Sequence, residues 1–382
     1  MNKNGALNGL TVLDLSRLLP GPFCSMILAD HGARVIAIED KRYAVEAGGN
    51  SAVLRNKEHI TLNLKSDKGR EIFFKMVEKA DIILEGFRPG VTERLGVDYE
   101  SVKKINPKII YCSISGYGQT GPNRNEVGHD VNYLSVAGVL DLIGEKHRPP
   151  SIPGIQIADL AGGGMYAAIG ILMALYARQQ SGTGQYIDIS MADGSMSLLS
   201  LVLSIKQFTG LPIKRSDSFL SHRYACYNTY ETADNRFISI GAVESRFWKN
   251  LCNYFDKPEY IALQYDDRAR DEIIDFLRQK VKQKTLAQWC EELDGRDICW
   301  GPVRSLDEAM ESPLFKEREM VVDLKDSDGK IVKFLGVPVK LSNTPGTVRT
   351  LPPAFGENTN KVLKDFGYSD DKIKEFEKQG VI

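Results

Sequence analysis

Short apolar, β-branched runs recur through the first third of the chain, with helical segments between them. They lie at Thr11–Leu15, Ala33–Glu39, Ile60–Leu64, Ile82–Leu84 and Ile109–Ile114. Strands separated by helices are returned to the same end of the sheet each time, so they pair in parallel. Between the runs, the turn at Pro20-Gly21-Pro22 leads into a helix through Ala29. Ser66 caps a second helix that carries Phe73, Met76 and Val77 at helical spacing. The expectation is an α/β fold: a large doubly wound, Rossmann-like domain with a mainly parallel sheet and helices on both faces.

Further along, Asp159 precedes a long apolar helix, and a strand at Tyr186–Met191 leads to another helix after Asp193. Beyond Tyr224 the texture changes. Phe237–Val243 reads as a strand, Arg246–Phe255 as a helix, and Leu277–Leu293 as a helix rich in Lys, Gln and Glu. Val321–Leu341 reads as a hairpin turning at Ser327-Asp328-Gly329. At 382 residues the chain exceeds the usual single-core limit of ~250–300 residues. The expected division is a large domain over 1–224, a smaller α+β domain over 225–330, and a C-terminal segment over 331–382 that returns to the large domain.

A formal net charge of −1 argues against a chain built to hold nucleic acid. The six cysteines are scattered with no CxxC, which reads as reduced thiols in a cytoplasmic protein rather than a disulfide framework or a metal site. No histidine shows metal-ligand spacing. The N-terminus, MNKNGALNGL, lacks the apolar run of a signal peptide. The most apolar stretch, Leu160–Tyr176, is glycine-interrupted and short of the ~20 residues of a membrane span, so no membrane partner is expected. A dinucleotide site is disfavoured as well. The first turn, Leu18-Leu19-Pro20-Gly21-Pro22-Phe23-Cys24, lacks GxGxxG, and its prolines remove backbone donors that a pyrophosphate would need.

Two titratable residues stand out. His129 lies in Gly128-His129-Asp130, and Asp159 lies just before Leu160-Ala161-Gly162-Gly163-Gly164-Met165. By spacing alone, Asp159 reads as a helix N-cap and His129 as a loop histidine. Longer motifs add to this. Glu85-Gly86-Phe87-Arg88-Pro89-Gly90-Val91, Ser115-Gly116-Tyr117-Gly118-Gln119-Thr120-Gly121-Pro122 and the Asp159 segment together resemble the class III CoA-transferase family. That family includes formyl-CoA and carnitine CoA-transferases and the α-methylacyl-CoA racemases. Gly128-His129-Asp130-Val131-Asn132-Tyr133 is similar to the racemase branch in particular.

The resemblance implies that His129 and Asp159 are two catalytic bases and that Glu244, in Gly241-Ala242-Val243-Glu244, orients the histidine. It implies coenzyme A contacts from Arg88, Lys65, Gly128, Asn132 and Tyr133, with coenzyme A entering as part of the substrate and no tightly bound cofactor. It also implies an interlocked homodimer. Inverting a carbon beside a thioester requires one group to remove the α-proton and another to return one on the opposite face. In the alternative transferase chemistry, Asp159 attacks the thioester and carries the acyl group, then CoA, through covalent catalysis. A helix N-terminus would lower the Asp159 pKa and burial would raise it. The bare amides of Ala161–Gly164 are candidates for holding a developing oxyanion. Asp130 is expected to tie down its loop. The racemase pattern is departed from at Ile155, at Asp40 with Lys41 and Arg42 beside it, and at Ser221–Tyr227.

Overall fold

Six strands before residue 191 form one parallel sheet in the computed structural model, which describes residues 5–44 and 51–382. Residues 1–4, the start of the N-terminal stretch read as lacking a signal peptide, lie outside the described residues. The strands are β1 (Thr11–Asp14), β2 (Arg34–Glu39), β3 (Glu58–Thr61), β4 (Ile82–Glu85), β5 (Ile110–Ser115) and β6 (Tyr186–Ser190). Their order across the sheet is β3-β2-β1-β4-β5-β6. Every neighbouring pair is parallel, for example Leu13 beside Ile36 and Ile83. Strands β4 and β5 are buried along their whole length, as expected for a parallel sheet covered on both faces.

Alternate residues of the strands feed two cores. Leu13, Ile36, Ile60 and Ile83 pack with Phe73 and Met76 of helix α2 (Asp67–Val77) and with Val362, Phe376 and Ile382 of the C-terminal helices. Each such fully buried side chain contributes ~1.5–3 kcal/mol. Ser66 caps α2 as expected, its Oγ accepting from the Gly69 amide at 3.0 Å. The opposite face is covered by helix α1 (Pro20–Asp30) and by the helix over Tyr166–Ser181. Pro20-Gly21-Pro22 is not a turn before α1 but its first turn. The first helical amides have no intrahelical partner, so proline costs nothing there.

Helix α1 covers an ionic cluster at the end of β1. The Lys57 ammonium donates to Asp14 Oδ2 at 3.4 Å, the Pro22 carbonyl at 2.8 Å and Ser25 Oγ at 2.6 Å. Its side chain is 0% exposed. The Ser16 and Ser25 hydroxyls also donate to Asp14. A second buried pair, Arg55 with Asp30 at 2.6 Å, ties the end of α1 to the C-terminal segment, because Arg55 also reaches the Leu335 carbonyl. The Arg349 guanidinium donates to the Ala29 carbonyl at 2.7 Å.

The helix leading from Asp159 runs from Ala158 to Ser181, longer than the apolar stretch implied, and reaches the length and apolarity of a membrane span. One face of it, with Ala167, Ile171 and Ala174, is buried where it crosses β5 and β6. Its first eight residues, Ala158–Met165, are wound as a π-helix.

The chain forms two compact units, divided differently from the expected domain limits. The first comprises 1–138, 153–198 and 313–382, and the second comprises 139–152 and 199–312. Asp217 explains why residues 139–152 and 199–224 belong to the second. Its carboxylate accepts from Lys146 at 3.1 Å, Arg223 at 3.2 Å and Arg270 at 2.8 Å, which gathers three separate segments. The second unit holds an antiparallel sheet of β7 (Tyr227–Glu231), β8 (Phe237–Gly241) and β9 (Trp300–Pro302). Its core centres on Trp248, Trp289 and Tyr230. The helix expected over Leu277–Leu293 is two, Arg270–Val281 and Leu286–Leu293. Thr285 and Gln288 form a capping box that starts the second, and the Trp289 indole donates to the freed Val281 carbonyl at 2.8 Å. The hairpin is β10 (Val321–Lys325) with β11 (Ile331–Leu335), in the first unit.

Lys57→Met should destabilise the fold by ~3–5 kcal/mol, because it leaves the Asp14 carboxylate buried without a counter-charge. Urea unfolding followed by circular dichroism measures it.

Candidate active site

The chain runs from β1 out to β2 and β3 and then crosses back to β4 on the other side of β1, and this reversal opens a crevice at the carboxyl ends of the strands. A cavity of about 660 Å³ occupies this position. Its walls come from the residues after β1 (Arg17, Leu18), after β4 (Gly86–Pro89) and at the end of β5 (Ser115–Tyr117), together with Arg124, Glu126–His129, Asn132, Tyr133, Asp159 and Met191. His129, Asp159, Arg88, Gly128, Asn132 and Tyr133 are all among them. Leu18 stands there with φ of +66°, a left-handed conformation that costs a leucine of order 1–3 kcal/mol.

His129 immediately precedes the helix Asp130–Val136, with extended backbone and an exposed side chain. Its amide donates to Asn132 Oδ1 at 3.0 Å, so Asn132 sets the entry of the histidine loop. Tyr133 braces the same loop: its hydroxyl donates to the Gly128 carbonyl, and its ring crosses Tyr117 edge-on at 5.3 Å. Only glycine fits at 128 and at 116, since a Cβ would come within 2.8 Å and 2.4 Å of that ring.

Asp159 is not an N-cap. Ile157 holds that position, and Asp159 lies within the first π-helical turn. Its own amide donates to the Asp130 carboxylate at 3.0 Å, so Asp130 does more than tie down its loop. Burial pushes the Asp159 carboxyl up from 3.8, the nearby Asp130 charge adds to this, and His129 pulls the other way, leaving it at about 6. Burial is the largest of these effects. The walls of the cavity include none of Ala161–Gly164, whose amides were the candidates for holding an oxyanion. Gly162 and Gly163 are instead packing contacts: a Cβ on Gly162 would sit 2.7 Å from the Met191 carbonyl, and one on Gly163 would sit 2.9 Å from the Met191 side chain.

Glu85 ends β4, accepts the Phe87 amide at 2.7 Å and shapes the turn that presents Arg88. Burial raises its carboxyl to about 7. Lys65 lines a narrower neighbouring cavity with Glu39, Asp40 and Arg42, and Arg17 and Phe87 form walls of both. The Arg17 guanidinium pairs with Glu39 at 3.2 Å and stacks on Tyr43 at 3.4 Å. Glu244 lies in the second unit, exposed, just before the helix Ser245–Tyr254. Sequence reading missed Arg17, Ser115 and Tyr117 as cavity residues. Their positions one to three residues past β1 and at the end of β5 were the available signal.

The sequence profile of CoA-transferase family III matches residues 7–359. The chain belongs to CoA-transferase family III. An alpha-methylacyl-CoA racemase from Homo sapiens is 34% identical over 385 residues, which cover 99% of this chain and 97% of the relative. An acetyl-CoA:oxalate CoA-transferase from Acetobacter aceti is 35% identical over 388 residues, covering 96% of this chain and 97% of the relative. The crystal structure of a CAIB/BAIF family protein from Brucella suis superposes with a TM-score of 0.83 at 28% identity, covering 95% of this chain and 100% of that one. Family III thus contains racemases and CoA-transferases at similar distance from this chain, and CoA thioesters are the substrates consistent with it.

Two outcomes follow. Asp130→Asn keeps an acceptor for the Asp159 amide but removes its charge, so a carboxyl titration by NMR should find the Asp159 midpoint below about 6. The folded-state pKa of Asp159 lies above its ordinary value. The stability this gives is therefore fully present below about pH 3.8 and is lost as the pH rises through about 6. Asp159→Asn should melt close to wild type near pH 4 and above wild type at pH 8, as read by calorimetry.

Proposed function

We propose that the protein is an α-methylacyl-CoA racemase, moving the α-proton of a 2-methylacyl-CoA thioester from one face of the carbon to the other. The observation that carries this reading is that His129 and Asp159 line one cavity, with the Asp159 carboxyl held at about 6. At neutral pH such a carboxyl is found both protonated and ionised, which a two-base exchange requires. A nucleophilic aspartate would instead gain from being fully ionised.

In one direction the ionised base removes the α-proton, and the C–H electron pair moves onto the thioester carbonyl as an enolate. The protonated partner then delivers its proton to the opposite face. The reverse direction exchanges the two roles. Glu244 as the group that orients His129 rests on its motif. Arg88 and Lys65, with Arg17 and Arg42 beside them, supply positive charge suited to the phosphates of CoA. Asn132, Gly128 and Tyr133 hold the histidine loop.

We also propose a homodimer. Met165, Ile169, Leu172, Met173 and Tyr176 leave an apolar stripe exposed along the helix after Asp159, and a second copy of the chain would cover it. We propose a cytoplasmic location on the scattered spacing of the six cysteines, which spell no CxxC.

The test uses a 2-methylacyl-CoA in deuterated water. Deuterium should enter the α-position with no acceptor acid present, and His129→Ala or Asp159→Ala should slow this by ~10²–10⁴-fold. Failure of exchange across a range of acyl chains, with CoA transfer to an added carboxylate and a hydroxylamine-sensitive adduct on Asp159, would establish the transferase reading instead.

A further inference from the structure

Among the described residues, two buried side-chain polar atoms have no hydrogen-bond partner: His31 Nδ1 and Ser115 Oγ. His31 packs against the chain at Gly346, and its ring is no part of the cavity wall. Ser115 is different. It is the last residue of β5, it lines the cavity that holds His129 and Asp159, and it is 7% exposed.

A buried hydroxyl left without a partner costs ~1–3 kcal/mol. Alanine would fill this position without that cost, so the hydroxyl calls for a reason outside the fold's own stability. The backbone around it is fixed. Ser115 is in register with Ser190 of β6, and the Gly116 carbonyl accepts from the Ala192 amide at 3.0 Å. Ser190 is already engaged, its Oγ capping the next helix through the Asp193 amide at 3.1 Å. Other polar groups of the same wall are committed too. The Tyr133 hydroxyl donates to the Gly128 carbonyl, and Asn132 Oδ1 accepts from the His129 amide. The Oγ is shielded in its present rotamer, so meeting an acceptor in the cavity takes a rotation about the Cα–Cβ bond, which leaves the strand in place.

We infer that Ser115 is a substrate-binding residue whose hydroxyl donates to a carbonyl oxygen of the bound CoA thioester. This rests on CoA thioesters being the ligands of the cavity, not on the choice between racemase and transferase. The acceptor is either the thioester carbonyl or an amide carbonyl of the pantetheine arm, and both present the same chemistry to the hydroxyl.

The experiment is titration calorimetry of isobutyryl-CoA and of free CoA on wild type, Ser115→Ala and Ser115→Thr, with melting temperatures of the unliganded proteins. Ser115→Ala should raise the Kd for isobutyryl-CoA roughly fivefold, the scale of one neutral hydrogen bond. Ser115→Thr, which keeps the hydroxyl, should restore it. The unliganded alanine variant should melt at or above wild type, because its empty state loses an unsatisfied group and no contact. Weakening confined to isobutyryl-CoA assigns the thioester carbonyl; weakening with both ligands assigns the pantetheine amide. A Kd for isobutyryl-CoA unchanged within twofold, a loss that threonine does not restore, or a melting temperature below wild type would overturn the inference. Wild type that binds isobutyryl-CoA but exchanges no deuterium would sink the racemase reading alone and leave this comparison intact.

Discussion

Strand β1 pairs with β2 on one side and β4 on the other, and everything functional in the first unit follows from that reversal. The chain leaves β1 towards β2 and β3 and crosses back to β4 on the other side, so the carboxyl ends of β1 and β4 face an opening between the two directions of winding. Arg17 and Leu18 follow β1 there, Gly86 to Pro89 follow β4, and Ser115 to Tyr117 lie at the end of β5. The ionic cluster under α1 keeps this edge rigid. Lys57 neutralises Asp14 at the point where β1 gives way to the cavity wall, and Ser16 and Ser25 complete the shell of donors around that carboxylate.

Within the opening, electrostatics decides more than shape. Asp130 follows His129 in the chain and accepts the amide of Asp159, so one carboxylate links the two candidate catalytic residues. The cost of placing that negative charge beside Asp159 appears as its raised pKa, on top of the larger contribution of burial. A carboxyl held at about 6 is present both protonated and ionised around neutral pH. The opposed polar devices, one charge raising and one lowering the same group, give the site a sensitivity to substitution at Asp130 that its lack of direct chemistry would not suggest.

Much of this was legible in one dimension. The five early strands, the Ser66 cap and the hairpin turning near Gly329 are local patterns of spacing and turn chemistry, and they stand in the structure within a few residues. The His129 and Asp159 motifs were legible for the same reason. Ser115 and Arg17 were not, because a serine or an arginine near a strand end carries no mark until the strands are ordered. The break between Val281 and Leu286 was missed although Thr285 and Gln288 spell a capping box, since the surrounding Lys, Gln and Glu residues favour continuing the helix.

The sequence by itself determined the α/β class, the family to which the chain belongs and the motifs that carry His129 and Asp159. These depend on periodicity and on contiguous motifs, which the order of residues contains directly. Only the tertiary structure decided that Asp159 lies inside a π-helical turn rather than capping it, that its carboxyl is pushed up to about 6, and that the Gly162–Gly164 run packs closely against Met191, Pro20 and Phe23. It also decided that residues 139–152 and 199–224 join the second unit through Asp217. The Asp159 carboxyl and the Asp217 cluster depend on charges brought near from 29 or more positions away. Such distances in sequence become contacts only once the sheet and the helices have closed around them.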